Sequence, residues 1–343
     1  MRQRGHRVTA HGSALLLVLG TLTVAWAAPA AAAPTVPPST QELCGAGSAI
    51  DFDRSAFPSR PRIDNKWFPL KPGMQYRTTG RVVSAEGTST RTVIHTVTGL
   101  TKKIDGVTTL VMWDRDYSDG VLAESELAFF AETRKGTVWL LGEYPEEYEN
   151  GKLVGAPSTF ISGIDQAQAG IVMQAEPRLQ TPAYVQAYAP NVDFLDCGKV
   201  FQEDQRVCVP TGCYNDVLVI DESNPLDPPS AGHQRKYYSP GTGLVKVSAA
   251  SGADQEFLDL VKVKQLTRAE LDSINAQALE LDRRGYTVSK DVYAQTPRAL
   301  VARPFGHGSR GWDRSGDGDR SRGDRSSDDR SSDDDDRSRD DDR

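Results

Sequence analysis

The chain has 343 residues, a formal charge of −7, 38% hydrophobic residues and four cysteines. That is enough for one domain of about 200 residues with a proper core, and the acidic balance disfavours nucleic acid and anionic membrane surfaces as partners. No Gly-x-Ser-x-Gly, His-Glu-x-x-His, phosphate loop or dinucleotide fingerprint occurs, so the enzyme classes those motifs mark lose support and no cofactor is expected.

At the N-terminus Arg2, Arg4 and Arg7 precede a mostly apolar run from Ala14 to Ala27. A basic start, an apolar stretch short for a bilayer and a set of small residues mark residues 1–32 as a signal peptide. Ala25-Trp26-Ala27 and Ala30-Ala31-Ala32 both suit its cleavage. No later stretch is apolar and long enough to cross a membrane, so the processed chain is expected to be secreted, not membrane-spanning. Residues 33–60 read as an N-terminal arm.

From 61 to 266 the chain alternates strand-like runs with turn signals. Met74–Val83, Ser89–Thr98, Val107–Tyr117, Val121–Thr133 and Thr137–Tyr144 come first. Tyr184–Tyr188, Gln205–Val209, Tyr214–Asp221, Gln234–Tyr238, Gly243–Ala249 and Glu256–Gln265 follow. Asp105-Gly106, Asp119-Gly120, Lys135-Gly136 and Asn150-Gly151 separate several of them, which predicts an antiparallel meander rather than a parallel βαβ sheet. Gly155 to Pro182 is less regular and is expected to cover a face or an end of the sheet. Cys208 and Cys213 flank Val209-Pro210-Thr211-Gly212, the turn of a hairpin, where opposed residues come within disulfide range. That leaves Cys44 for Cys197, tying the arm to the domain. The spacing is not Cys-x-x-Cys and no histidine lies nearby, which argues against zinc.

Residues 267–302 hold one helix and a C-terminal extension. Thr267-Arg268-Ala269-Glu270 is a capping box, and Leu271, Ile274, Ala278 and Leu281 recur at helical spacing. The helix is expected to end near Gly285 and to lay its apolar stripe on the sheet. Residues 303–343 are almost entirely Arg, Asp, Ser and Gly, with too little apolar surface to offset ordering, and read as a disordered tail. The expected fold is thus mainly β: a single antiparallel, curved sheet, half-barrel or sandwich, with one C-terminal helix packed on it.

Chemistry is sparse. His95 shares a strand face with Val93 and Val97 and reads as a structural, half-buried histidine; His233 reads as loop. The densest acidic group is Asp114, Asp116, Asp119, Glu124 and Glu126. Asp114, Asp116, Glu124 and Glu126 are the candidate cation ligands, but one extra residue before Gly120 breaks the calcium-loop pattern. With a two-residue turn at Asp119-Gly120, Arg115 opposes Glu124 and Trp113 opposes Glu126, so the acids divide between two faces. With a three-residue loop Asp114 opposes Glu124 and they converge; the Asp-Gly pair favours the first. Alternation puts Trp113 with Val111 and Tyr117, and Phe130 with Ala128. Trp113, Phe130 and Trp139 are the candidate binding aromatics.

Three segments carry a family resemblance. They are Asn65-Lys66-Trp67-Phe68-Pro69-Leu70-Lys71-Pro72-Gly73, then Val209-Pro210-Thr211-Gly212-Cys213-Tyr214-Asn215-Asp216-Val217-Leu218, then Lys236-Tyr237-Tyr238-Ser239-Pro240-Gly241-Thr242-Gly243-Leu244-Val245-Lys246. In order and spacing they resemble a group of exported, actinobacterial-type β-rich proteins, over roughly Asn65 to Leu281. The third segment also resembles envelope proteins with curved antiparallel sheets, which implies a half-barrel or sandwich. Cys208 and Cys213 depart from the group's hairpin pattern, and the resemblance supplies no catalytic residues. The expected function is an exported binding module for a small apolar or lipid-like ligand at the cell envelope, rather than an enzyme. A structural or protein-interaction domain, with an envelope protein as partner, is the alternative. A hydrolase would need Asp114, Glu124 and Glu126 to cluster around a cleft.

Overall fold

The computed structural model describes residues 42–228 and 230–302. The expected signal peptide at 1–32, the start of the arm and the tail at 303–343 lie outside the described residues.

The strands are β1 (Met74–Ser84), β2 (Gly87–Ile104), β3 (Val107–Ser118), β4 (Val121–Glu132) and β5 (Val138–Glu149). The short β6 (Lys152–Gly155), β7 (Phe160–Ile161), β8 (Gln168–Met173) and β9 (Tyr184–Ala189) follow. Then come β10 (Phe194–Val209), β11 (Gly212–Ser223), β12 (Gln234–Ser239), β13 (Gly243–Ala249) and β14 (Gln255–Gln265). Helix α1 (Arg268–Val288) and β15 (Leu300–Val301) complete the described chain. At Asp105-Gly106, Asp119-Gly120 and Asn150-Gly151 both residues have positive φ, the type I′ geometry whose twist matches its flanking strands. The meander therefore forms where the Asp-Gly and Asn-Gly pairs predict it.

Hydrogen-bonded neighbours run β1-β14-β13-β12-β11-β10-β9-β8-β5-β4-β3-β2, and β2 pairs back onto β1. Twelve strands thus close into an antiparallel barrel. This corrects the open, curved sheet expected from the sequence. Gln75 of β1 faces Thr96 on one side and Lys264 on the other, so neither the first strand nor the last is left as an edge. The irregular stretch after Gly155 is part of the wall, because β8 stands between β5 and β9. The first half of β10, unrecognised in the sequence, is likewise a stave.

Closure gives the wall two environments. Inside lie Val97, Met112, Phe130, Leu140, Ile220 and Tyr238, among others. Outside, over β2–β5, Val111, Trp113, Phe129 and Tyr144 pack against Ile274, Ala278 and Leu281 of α1. Burying each large side chain there contributes roughly 1.5–3 kcal/mol. Thr267 and Glu270 form the expected capping box. The helix runs past Gly285 because that glycine does not stop it. A Cβ there would lie 2.5 Å from the ring of Tyr293, so glycine at 285 admits the ring that seals the helix end. Polar clamps fix the helix in place. Asn275 accepts from the Gly99 amide at 2.7 Å, and Lys102 Nζ, buried completely, donates to Asp282 at 2.8 Å.

Both disulfides form in the expected pairing: Cys208 with Cys213 across the β10–β11 hairpin, and Cys44 with Cys197 at the start of β10.

Candidate functional site

One end of the barrel is plugged by the segment before β1. Asn65 organises it: its side-chain oxygen accepts from the Trp67 and Phe68 amides at 2.8 and 3.0 Å, while its nitrogen donates to the Gly136 and Gln174 carbonyls. Glu132 accepts from the Asp64 and Asn65 amides. The clamp projects Phe68, Pro69 and Leu70 into the barrel, where Phe68 meets Phe130 with ring centroids 5.3 Å apart. Across from it the end of β12 and the tight turn into β13 bring Tyr238, Thr242, Gly243 and Leu244 to the same place. The first and third segments of the family resemblance thus meet at one cavity.

That cavity measures about 180 Å³. Its apolar end is walled by Phe68, Leu70, Tyr76, Met112, Phe130 and Leu244. Its polar end carries His95, Asp114, Glu126, Glu143, Glu222 and Lys236.

Two bulges create the polar end. The Asp119-Gly120 turn has the expected two residues, with Ser118 opposite Val121 and Tyr117 opposite Leu122. Ala123 is then an extra residue on β4, so Asp116 faces Glu124 and Asp114 faces Glu126. The division of these acids between two faces, expected from an uninterrupted ladder, is therefore wrong: one bulged residue reverses the register beyond it. A second irregularity falls on β5, where Ala128 faces Glu143 and Phe130 faces Leu140. It turns both Leu140 and Glu143 inward despite their odd spacing. Gly142 sits in that bulge, where a Cβ would come within 2.7 Å of the Phe160 carbonyl oxygen.

Inside, the charges are partly matched. Arg91 pairs with Asp116. Lys236 Nζ lies 2.6 Å from Glu222, which also accepts from Gln186 at 3.1 Å. His95 Nδ1 stands 2.9 Å from Asp114, a charge contact out of line for a directed hydrogen bond. Burial pulls the His95 pKa down, but Asp114 and Asp116 outweigh it and hold the imidazole above its ordinary value. Glu124, Glu126 and Glu143 have no hydrogen-bond or ion-pair partner among the described residues. Burial first, and repulsion from Asp196 and Glu124 second, push Glu143 up to about 8. Burial and Asp116 push Glu124 to about 7, and burial with Glu143 and Glu124 carries Glu126 well above the carboxylate range. Asp196 of β10 rises to about 7, by burial and Glu222.

Of the aromatics expected to bind, only Phe130 lines the cavity. Trp113 is on the outer face, beneath the helix, with Nε1 donating to Ser125 at 2.9 Å. Trp139 is also outside, against Phe52 of the arm at 5.3 Å. The four candidate cation ligands do come together, yet among the described residues no three of His, Cys, Asp or Glu are disposed to hold a metal ion. Lys236, Glu143, Glu222 and Tyr238 were not singled out in the sequence. Alternation along Lys236-Tyr237-Tyr238 pairs the lysine with a tyrosine, but nothing local says that this face is the inside.

No family model and no curated protein matches the chain. Among solved structures, a Bacteroides fragilis protein described as exported and of YmcC-like fold is 13% identical, with a TM-score of 0.35. The match covers 58% of this chain and 98% of that one. A Parabacteroides distasonis protein described as a lipoprotein is 12% identical, with a TM-score of 0.29 and coverage of 57% and 97%. Likenesses this distant carry no argument about the contents of the barrel.

Proposed function

We propose that this chain is an exported binding protein whose barrel holds one small molecule in the cavity between the Phe68–Phe130 pair and the carboxylates of β3–β5. The carrying observation is the cavity itself, apolar at one end and polar at the other. An apolar cavity of about 150 Å³ accommodates a benzene-sized ligand, so a compact molecule, or the end of a longer one, suits the space better than a whole lipid. Export is supported by the signal-like start of the sequence and by the two disulfides, which belong to an oxidising compartment. Native mass spectrometry of protein recovered from its own host tests the reading. An adduct lost on organic extraction supports it, and a bare polypeptide with an unresponsive cavity in ligand screens refutes it.

A second reading gains one observation. Asp114 and Glu126 both line the cavity, and a carboxyl that burial holds protonated near neutral pH, as it does Glu126, can serve as a general acid. The space is small for two sugar rings, which ranks hydrolysis second. Turnover of chromogenic glycosides that disappears in Glu126→Gln would promote it.

A further inference from the structure

We propose that the ligand bears a positive charge, an amine or guanidinium on a compact apolar body, with the cation between Glu126 and Glu143 and the body against Phe68 and Phe130. This rests on the reading of the cavity as a binding site and names the chemical class of its occupant.

The interior charges pair unevenly. Arg91 is taken by Asp116, Lys236 by Glu222 and His95 by Asp114. Each cation inside the barrel already has its carboxylate, and Glu124, Glu126 and Glu143 are left over. An anionic ligand such as a fatty acid would need a free cation here and would find an excess of carboxylates instead. A neutral ligand would leave those carboxyls protonated and without an ionic partner.

Independent observations point the same way. Asp114 lines the cavity, and its Oδ1 meets no directed hydrogen-bond donor. Buried polar atoms are nearly always satisfied, so a carboxylate oxygen left open in the cavity wall marks a place for an occupant's donor. The geometry of the cavity supplies the rest: an acidic end on β3, β4 and β5 faces an aromatic end built by the plug.

The unpaired carboxyls hold protons in the empty barrel, and a cation seated among them drives those protons off. The charged and titratable groups around them are Arg91 and His95 on β2, Asp114 and Asp116 on β3, Glu124 and Glu126 on β4, and Glu143 and Glu147 on β5. Asp196, Glu222, Lys236, Tyr238 and Glu256 complete the set from β10, β11, β12 and β14. Binding of the cation is therefore coupled to proton release, and affinity rises between pH 6 and 8.

The test uses the mature, disulfide-bonded chain and three probes of equal length: hexylamine, hexan-1-ol and hexanoate. Calorimetry at pH 8 is expected to show the amine binding about tenfold or more tightly than the alcohol, the equivalent of about 1.4 kcal/mol, with hexanoate weakest. Repeating the titration in buffers of different ionisation heat should reveal protons released with the amine and none with the alcohol. The double variant Glu126→Gln/Glu143→Gln, its fold checked by circular dichroism, should lose the amine preference and keep the alcohol. Alcohol binding as tight as the amine, or hexanoate tightest, overturns the cation while leaving the cavity as a binding site. No heat with any probe at millimolar concentration, together with no chemical-shift change at cavity residues, overturns both.

Discussion

Replacing Glu143 by glutamine should make the protein more stable, and by an amount set by pH. The folded-state pKa of Glu143 is about 8 against an ordinary 4.5, because burial and the neighbouring carboxylates disfavour its charge. A raised carboxyl binds a proton in the folded state that the unfolded state releases, so its stability contribution is whole below pH 4.5 and lost as pH climbs toward 8. At pH 7 the climb covers about 2.5 pH units, each worth about 1.4 kcal/mol, for an upper bound of about 3.5 kcal/mol. Water at the cavity end screens part of this, leaving about 2 kcal/mol. Glutamine keeps the shape and removes the ionisation. Thermal melts of wild type and Glu143→Gln should therefore nearly coincide at pH 4.5 and separate by about 4–8 °C at pH 7, using about 2–4 °C per kcal/mol for a domain of this size. A separation that is equal at both pH values, or a variant less stable at pH 7, would refute the buried-charge reasoning.

Other outcomes follow from the same structure. Asp114→Asn removes a carboxylate that holds the His95 pKa up, so the imidazole should titrate at lower pH in the variant, read by nitrogen-detected NMR. Lys102→Met leaves Asp282 buried without its cation; the loss should be about 3 kcal/mol in urea unfolding, at the low end for a broken buried pair, because Tyr293 and the Ala299 amide still donate to Asp282. The Cys44–Cys197 bridge has a sequence separation of 153 and the Cys208–Cys213 bridge one of 5. Chain entropy then predicts about 5 kcal/mol lost without the first and about 2 without the second. Paired alanine substitutions compared by denaturant midpoint check that order.

Local structure was legible in the sequence, and closure was not. Asp119-Gly120 announces its own turn because glycine and aspartate tolerate positive φ, and Thr267 with Glu270 announces a helix start because they bond to each other's backbone. Alternation correctly grouped Trp113 with Val111 and Phe130 with Ala128. It could not say which group faces inward, and a closed wall has an apolar lining on both sides where a helix covers it. The site depended on features that leave no pattern. Ala123 is an ordinary residue whose insertion into β4 gathers the acids, and Gly142 carries the bulge that turns Glu143 inward. The pairing of β1 with β14 links the two ends of the domain, and no turn signal spans that distance.

That last pairing also sets the order in which the protein can fold. Met74 waits for Gln265, so nearly the whole domain must emerge before the first strand finds its second neighbour. Folds dominated by such distant contacts form slowly. Under the exported reading proposed above, the delay has a use: a chain threaded through a membrane pore could not close into a barrel before its last stave had passed.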